Sequence, residues 1–156
     1  RAVVMPNLCP PITSVEAALS YKHKIIQAIP IGLSFDPLMT IYLTDDLSPN
    51  VLKDGYQKGI IFAAKLYPAN STTNSSEGVS DLELIYPLFE MMQEIDMPLL
   101  IHGEVVDDNV DIFDREAAFI DRHLEPLLHK FPAGLIGGFH AAARQAGVCL
   151  ETIHDE

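Results

Sequence analysis

The stretch "IIFAAKLYPANSTTNSS", residues 60–76, places an apolar run before a lysine and a polar loop. An apolar run of this length is typical of a buried strand. Lys65 lies near the end of that run, so its amine must either reach water or be accommodated inside the protein. The Ser-, Thr- and Asn-rich residues that follow predict a loop.

Similar apolar runs recur along the chain and alternate with helical patterns. We predict strands at residues 2–5, 37–44, 60–67, 97–104 and 134–140, each followed by a helix. Strands that alternate with helices favour a parallel sheet.

Helical periodicity and start signals lie between these strands. We predict helices over residues 15–28, 48–59, 80–95 and 114–130. Thr13 and Glu16 have capping-box spacing before the first helix, and Ser80 and Glu83 repeat it before the third. Ser48 precedes a proline and predicts the start of the second helix.

Two architectures fit such a sheet: a doubly wound open sheet and part of a (β/α)8 barrel. Polar or ionisable residues lie at the C-terminal ends of the predicted strands, where barrel enzymes place their chemistry, namely Asn7, Thr44, Lys65, His102 and His140. No GxGxxG or GxxxxGK[ST] follows a strand, which argues against a nucleotide-binding open sheet. A whole barrel takes about 250 residues. We therefore predict one partial-barrel domain over residues 1–156, with about five consecutive β/α units.

Composition and charge narrow the function classes. The net charge of −12 argues against nucleic acid and anionic membrane surfaces as partners. Cys9 and Cys149 lie far apart in the sequence, which favours free thiols and a cytoplasmic location. The first residues, RAVVMPN, are typical of a strand, so we expect the chain to begin inside a larger protein.

Lys65, His102 and His140 admit a metal site or a purely structural role. A protonated lysine has no lone pair, but burial lowers its pKa and yields the neutral amine. A neutral amine can react with carbon dioxide to give a carbamate, whose two oxygens can bridge two metal ions. Histidine nitrogens suit zinc. Histidines at strand ends are equally compatible with hydrogen-bonded structural residues.

Five long motifs in order carry a family resemblance: "VVMPNLCPPITSVEAA", "PLMTIYLTDDLSPN", "AAKLYPANSTTNSS", "MPLLIHGEV" and "DIFDREAAFI". Together they resemble dihydroorotase of the bacterial single-function type, in the amidohydrolase superfamily, over residues 1–132. Residues 133–156 depart from the pattern as a divergent tail. The resemblance implies a (β/α)8 barrel that interconverts carbamoyl aspartate and dihydroorotate in pyrimidine biosynthesis. It also implies that the chain covers strands two to six of that barrel.

The resemblance also implies two zinc ions bridged by a carboxylated Lys65, with His102 and His140 as further metal ligands. The family's first-strand His-x-His and its catalytic aspartate, the general acid/base, have no counterpart in the chain. We therefore expect the 156 residues alone to be inactive.

Substrate contacts are implied for Asn7 and, on a loop that closes over the substrate, for Thr72 and Thr73. The expected partner is a small-molecule substrate, and we expect the intact enzyme to be a homodimer. Two alternatives remain open: another cyclic-amide hydrolase, of hydantoinase or allantoinase type, and a non-catalytic barrel subunit that acts as a scaffold.

Overall fold

The computed structural model describes residues 1–131, so the predicted strand at residues 134–140 and the tail after it lie outside the described residues. Within them, no helix is long and apolar enough to cross a bilayer. The elements in chain order are β1 (Ala2–Val4), α1 (Val15–Gln27), β2 (Pro37–Tyr42), α2 (Pro49–Gln57), β3 (Ala63–Leu66), a 3₁₀ turn (Leu82–Ile85), α3 (Tyr86–Glu94), β4 (Leu99–Ile101), α4 (Arg115–Phe119), a π-helical turn (Ile120–Leu124) and α5 (Glu125–Lys130).

The four described strands form one parallel sheet in the order β1-β2-β3-β4. Every neighbouring pair is parallel, with Val4 opposite Met39 and Lys65 opposite Leu100. The strands follow chain order without the reversal that marks a doubly wound sheet, and this is the arrangement of a barrel. The open-sheet alternative is therefore wrong, and the prediction of a partial barrel is confirmed for these four strands.

The two faces of the sheet differ in chemistry because side chains alternate along each strand. The face toward the helices is apolar and buried, and its strand residues are Met39, Ile41, Leu43, Ala64, Leu66, Leu99 and Ile101. The opposite, inner face carries Thr40, Tyr42 and Lys65. The helices thus cover one side, and the polar residues gather on the other.

The start of α1 differs from the prediction by one residue. Ser14, not Thr13, is the N-cap, and its hydroxyl accepts a hydrogen bond from the Ala17 amide at 3.1 Å. Of the two neighbouring isoleucines near the end of the helix, Ile26 is 44% exposed, whereas Ile25 packs against the core.

The predicted helix over residues 80–95 is a 3₁₀ turn followed by α3. Asp81 caps the 3₁₀ turn, while the Ser80 hydroxyl donates to Asp45 at 2.6 Å, so the capping box predicted from Ser80 and Glu83 is wrong. Pro87 explains the division, because it has no N–H to continue an α-helical ladder. By contrast, α2 begins as predicted, with Ser48 at the N-cap and proline in the first turn.

The predicted helix over residues 114–130 is divided in the same way. A π-helical turn separates α4 from α5, and Pro126 lies in the first turn of α5. The missing N–H of that proline removes one α-helical hydrogen bond. Phe119, Leu124 and Leu127 are buried in the core, whereas Ala117 faces solvent.

Capping at α1 gives a direct test of these contacts. Ser14→Ala should lower the free energy of unfolding by about 1 kcal/mol, because the Ala17 amide loses its acceptor. Thr13→Ala is the matched control and should change it by less than about 0.5 kcal/mol. Urea denaturation followed by circular dichroism measures both. A larger loss for Thr13→Ala than for Ser14→Ala would restore the capping-box assignment.

Candidate active site

The Lys65 amine lies inside the protein. The residue is 9% exposed, and desolvation by burial lowers the pKa of its amine to about 8. No carboxylate within residues 1–131 forms an ion pair with it. Its Nζ lies 4.9 Å from the centroid of the Tyr67 ring. This apolar, aromatic setting disfavours the charged amine, so the neutral form is reached at a lower pH than for an exposed lysine.

A row of rings continues from the lysine along the inner face. The Tyr42 and Tyr67 rings stack with centroids 5.3 Å apart, and the Tyr67 ring lies 5.9 Å from that of His102. Burial raises the pKa of the Tyr67 hydroxyl to about 12. The sequence analysis did not single out either tyrosine. Period-two spacing was the available signal, since Tyr67 lies two residues after Lys65 and therefore on the same face.

His102 follows β4 directly and is fixed at both its backbone and its ring. Its amide donates to the Leu66 carbonyl at 2.9 Å, which extends the β3–β4 pairing by one residue. Its Nε2 lies 3.0 Å from the Glu104 carboxylate, and the Arg115 guanidinium lies 3.6 Å from the other oxygen of Glu104. Glu104 and Arg115 were also not singled out from the sequence, because no periodicity links them to His102.

The described residues bring together two of the three predicted metal ligands. Lys65 and His102 lie at the carboxyl end of neighbouring strands, while His140 lies outside the described residues. Both fit a metal site chemically: the amine is buried without an acid partner, and the imidazole has a carboxylate behind one nitrogen. Residues 1–131 contain no cluster of three or more His, Cys, Asp or Glu side chains that could hold a metal ion.

The polar loop after β3 is closed by its own hydrogen bonds. Pro68 and Val79 form a bridge, and the Val79 amide donates to the Tyr67 carbonyl at 2.8 Å. The buried Ser75 hydroxyl accepts from the Thr72 amide at 2.8 Å and donates to the Thr72 carbonyl at 2.6 Å. Some of the polar side chains of this loop therefore stabilise the conformation of the loop itself.

Asn7 ties this loop to the end of β1. Its Nδ2 donates to the Thr73 carbonyl at 3.1 Å, and its carbonyl accepts from Asn74 Nδ2 at 3.0 Å. Its Oδ1 accepts from the Tyr67 hydroxyl at 3.0 Å. The side chains of Thr72 and Thr73 are exposed. The structure thus brings the three predicted substrate-binding residues together, with the Asn7 amide bonded to the loop itself.

Comparisons with known proteins agree with this geometry. No established family profile matches the chain. Dihydroorotases from Synechococcus sp. (strain RCC307) and Yersinia enterocolitica are 58% and 59% identical over 146 residues, which is 94% of this chain and 42% of each relative. The matched length exceeds the 132 residues over which the motifs carried the resemblance.

Two solved structures resemble the fold. A dihydroorotase from Saccharomyces cerevisiae in complex with 5-fluoroorotic acid matches 86% of this chain and 38% of its own, with a TM-score of 0.75 and 37% identity. A dihydroorotase from Campylobacter jejuni matches 84% of this chain and 37% of its own, with a TM-score of 0.74 and 40% identity.

The parallel strands, the outer helices and the ionisable strand ends define a section of a (β/α)8 barrel. In sequence and in fold, that section is similar to dihydroorotases, so the resemblance that the motifs carried is confirmed. The chain spans about two fifths of the length of the curated relatives it matches.

Burial of Lys65 predicts a pH-dependent stability difference. Lowering its pKa from 10.5 to about 8 corresponds to about 3 kcal/mol of penalty on the charged form. Lys65→Met should therefore raise the free energy of unfolding at pH 7 by roughly 1–3 kcal/mol. Below about pH 8 the Lys65 amine is protonated in both the folded and the unfolded chain, so the stability difference between Lys65→Met and wild type is constant. Between about pH 8 and 10.5 only the unfolded chain keeps the proton, so wild type becomes more stable and this difference, the gap, closes.

Urea titrations from pH 7 to 10.5, in chelator-treated buffer free of carbon dioxide, measure that gap. Lys53→Met is the matched control, because Lys53 is an exposed lysine paired with Glu94. Its difference from wild type should show no such closure. A Lys65→Met gap that stays constant across this range would contradict the burial of a neutral amine.

Proposed function

We propose that this section of barrel serves the interconversion of carbamoyl aspartate and dihydroorotate in a zinc-dependent dihydroorotase. The observation that carries the proposal is the buried Lys65 amine, without an acid partner and on the same inner face as His102. It occurs in a chain 58–59% identical to dihydroorotases over 146 residues.

Lys65 would act as a carboxylated lysine. Burial without an ion pair lowers the pKa of the amine, and the neutral amine can attack carbon dioxide to form a carbamate, with one amine proton released to solvent. Carboxylated Lys65, His102 and His140 would hold a pair of zinc ions. When bound, the zinc pair supplies Lewis acidity toward an amide carbonyl and lowers the pKa of water.

Asn7, Thr72 and Thr73 would bind the substrate. The Asn7 amide has two hydrogens and gives one to the Thr73 carbonyl, so one remains for a substrate carboxylate. The threonine side chains are exposed on a loop whose backbone is already fixed. The yeast relative of similar fold was solved with 5-fluoroorotic acid, a cyclic carboxylate. Such a loop would exclude water and orient the ring.

The whole enzyme needs groups that the 156 residues lack, namely a first-strand His-x-His and an aspartate that moves the proton. We propose that it works in the cytoplasm as a homodimer. Its partner is a small-molecule substrate, rather than nucleic acid or a membrane.

A chimaera tests the function. The matched section of Yersinia enterocolitica dihydroorotase, at 59% identity, is replaced by this chain. The chimaera should hydrolyse dihydroorotate in a zinc-dependent way. Lys65→Ala in the chimaera should lower kcat/KM by more than the roughly 10–100-fold typical of changes behind a metal ligand. Lys53→Ala, which changes a lysine on α2 that is paired with Glu94, should leave kcat/KM unchanged.

A folded, zinc-loaded chimaera that turns over hydantoin or allantoin instead would favour another cyclic-amide hydrolase. One that turns over none of these rings would favour a scaffold.

The isolated chain should behave differently. With zinc and bicarbonate present, the 156 residues should show no dihydroorotate turnover above the buffer blank, because the general acid/base is not among them. Absorbance assays of ring opening at micromolar chain measure this. Sustained zinc-dependent turnover, lost in Lys65→Ala, would refute the prediction.

A further inference from the structure

We propose that Glu104 positions His102. Its carboxylate accepts a hydrogen bond from Nε2–H of the imidazole and leaves Nδ1 as the nitrogen free to bind a metal. The effect of Glu104 on metal binding rests on the proposed function, since the metal belongs to that proposal. The contact between Glu104 and His102 does not depend on it, because it is present in the described chain.

The chemistry of the pair fixes the tautomer. An ionised carboxylate has no hydrogen to donate, so at 3.0 Å it acts as an acceptor for a ring N–H. A neutral imidazole carries one hydrogen, and the bond places it on Nε2. The lone pair is then on Nδ1, and only a nitrogen with a free lone pair can bind a metal.

Glu104 is itself held in place from the opposite side. Arg115 Nη1 lies 3.6 Å from the carboxylate oxygen that does not face His102. The backbone reinforces this approach, because the Val105 amide donates to the Arg115 carbonyl at 3.2 Å. The side chains of Glu104 and His102 are 24% and 32% exposed, so solvent screens the pair only in part.

Close packing brings these residues together. A Cβ added at Gly103 would lie 3.1 Å from Phe119 Cδ1, so the turn between His102 and Glu104 passes directly over the ring of a buried α4 residue. On the other side of the site the Tyr67 ring lies 5.9 Å from the imidazole. The imidazole is therefore held by a backbone bond, a carboxylate and an aromatic neighbour.

Such an arrangement prepares the ligand before the metal arrives. A carboxylate behind a histidine fixes ring orientation and raises ligand basicity, and its loss typically weakens metal affinity by roughly 10–100-fold. Arg115 would act indirectly, because its guanidinium keeps the Glu104 carboxylate directed at the imidazole of His102.

The first experiment reads the tautomer without any metal. The 156-residue chain is labelled with 15N-histidine, and His102→Gln identifies the resonances of His102 among the six histidines. Long-range 1H–15N spectra at pH 8 should show the Nε2–H form in wild type. Glu104→Gln should shift His102 toward mixed tautomers, because a glutamine amide can donate as well as accept. Glu94→Gln, which changes an exposed glutamate on α3, should leave the spectrum unchanged.

The second experiment measures zinc affinity by competition with a chromophoric chelator. Glu104→Gln should weaken zinc binding by roughly 10–100-fold, and Arg115→Gln should weaken it by less. Glu94→Gln should bind zinc as wild type does.

A wild-type Nδ1–H tautomer, or a tautomer that Glu104→Gln leaves unchanged, would overturn the inference. If the tautomer responds but wild type takes up no zinc, the positioning by Glu104 stands and the proposed metal centre fails. If zinc binds equally to wild type and Glu104→Gln, the positioning role fails and the metal centre stands.

Discussion

The parallel register that sets Tyr42 beside Lys65, and Lys65 beside Leu100, is the constraint on which the rest of the site depends. Side chains alternate between faces with a period of two, so a slip of one residue would turn Lys65 into the apolar layer under the helices. The same slip would turn Leu66, the next residue of β3, onto the inner face. The apolar core and the polar site therefore depend on the same strand register. Burial of the apolar face stabilises that register and with it the position of the Lys65 amine.

A second constraint acts across the end of the sheet. Asn7 joins the end of β1 to a loop 66 residues away in sequence, through hydrogen bonds made by both its side chain and its backbone. The loop also holds Asn70 and Asn74 at positive φ, a conformation that asparagine tolerates better than most residues. Hydrogen bonds and backbone conformation therefore both support the shape of this loop. Under the proposed function, a loop supported in this way would lose less conformational entropy on binding substrate.

The sequence predicted the parts of the molecule that depend on periodicity. Lys65 and His102 follow apolar runs, and a parallel sheet brings such positions to one edge. The helix starts were harder, because Thr13 and Ser14 are both good caps and only the backbone path decides which hydroxyl meets the Ala17 amide. The breaks at Pro87 and Pro126 could have been predicted from proline chemistry alone.

The contacts that complete the site were beyond sequence patterns. The pairing of Glu104 with both His102 and Arg115 depends on how the chain after β4 turns over Phe119, which no spacing rule describes. The bond from Tyr67 to Asn7 spans 60 residues and needs the loop to fold back. Long-range polar contacts of this kind follow from the assembled backbone, so they appear only with the structure.

Under the proposed function, electrostatics would link the modification of Lys65 to the metal. Carboxylation would exchange a cation for an anion at the same buried position, so the cost of desolvating a charge would remain. Bound zinc ions would offset that cost, and the carbamate would help to hold them. Modification and metal binding would then stabilise each other.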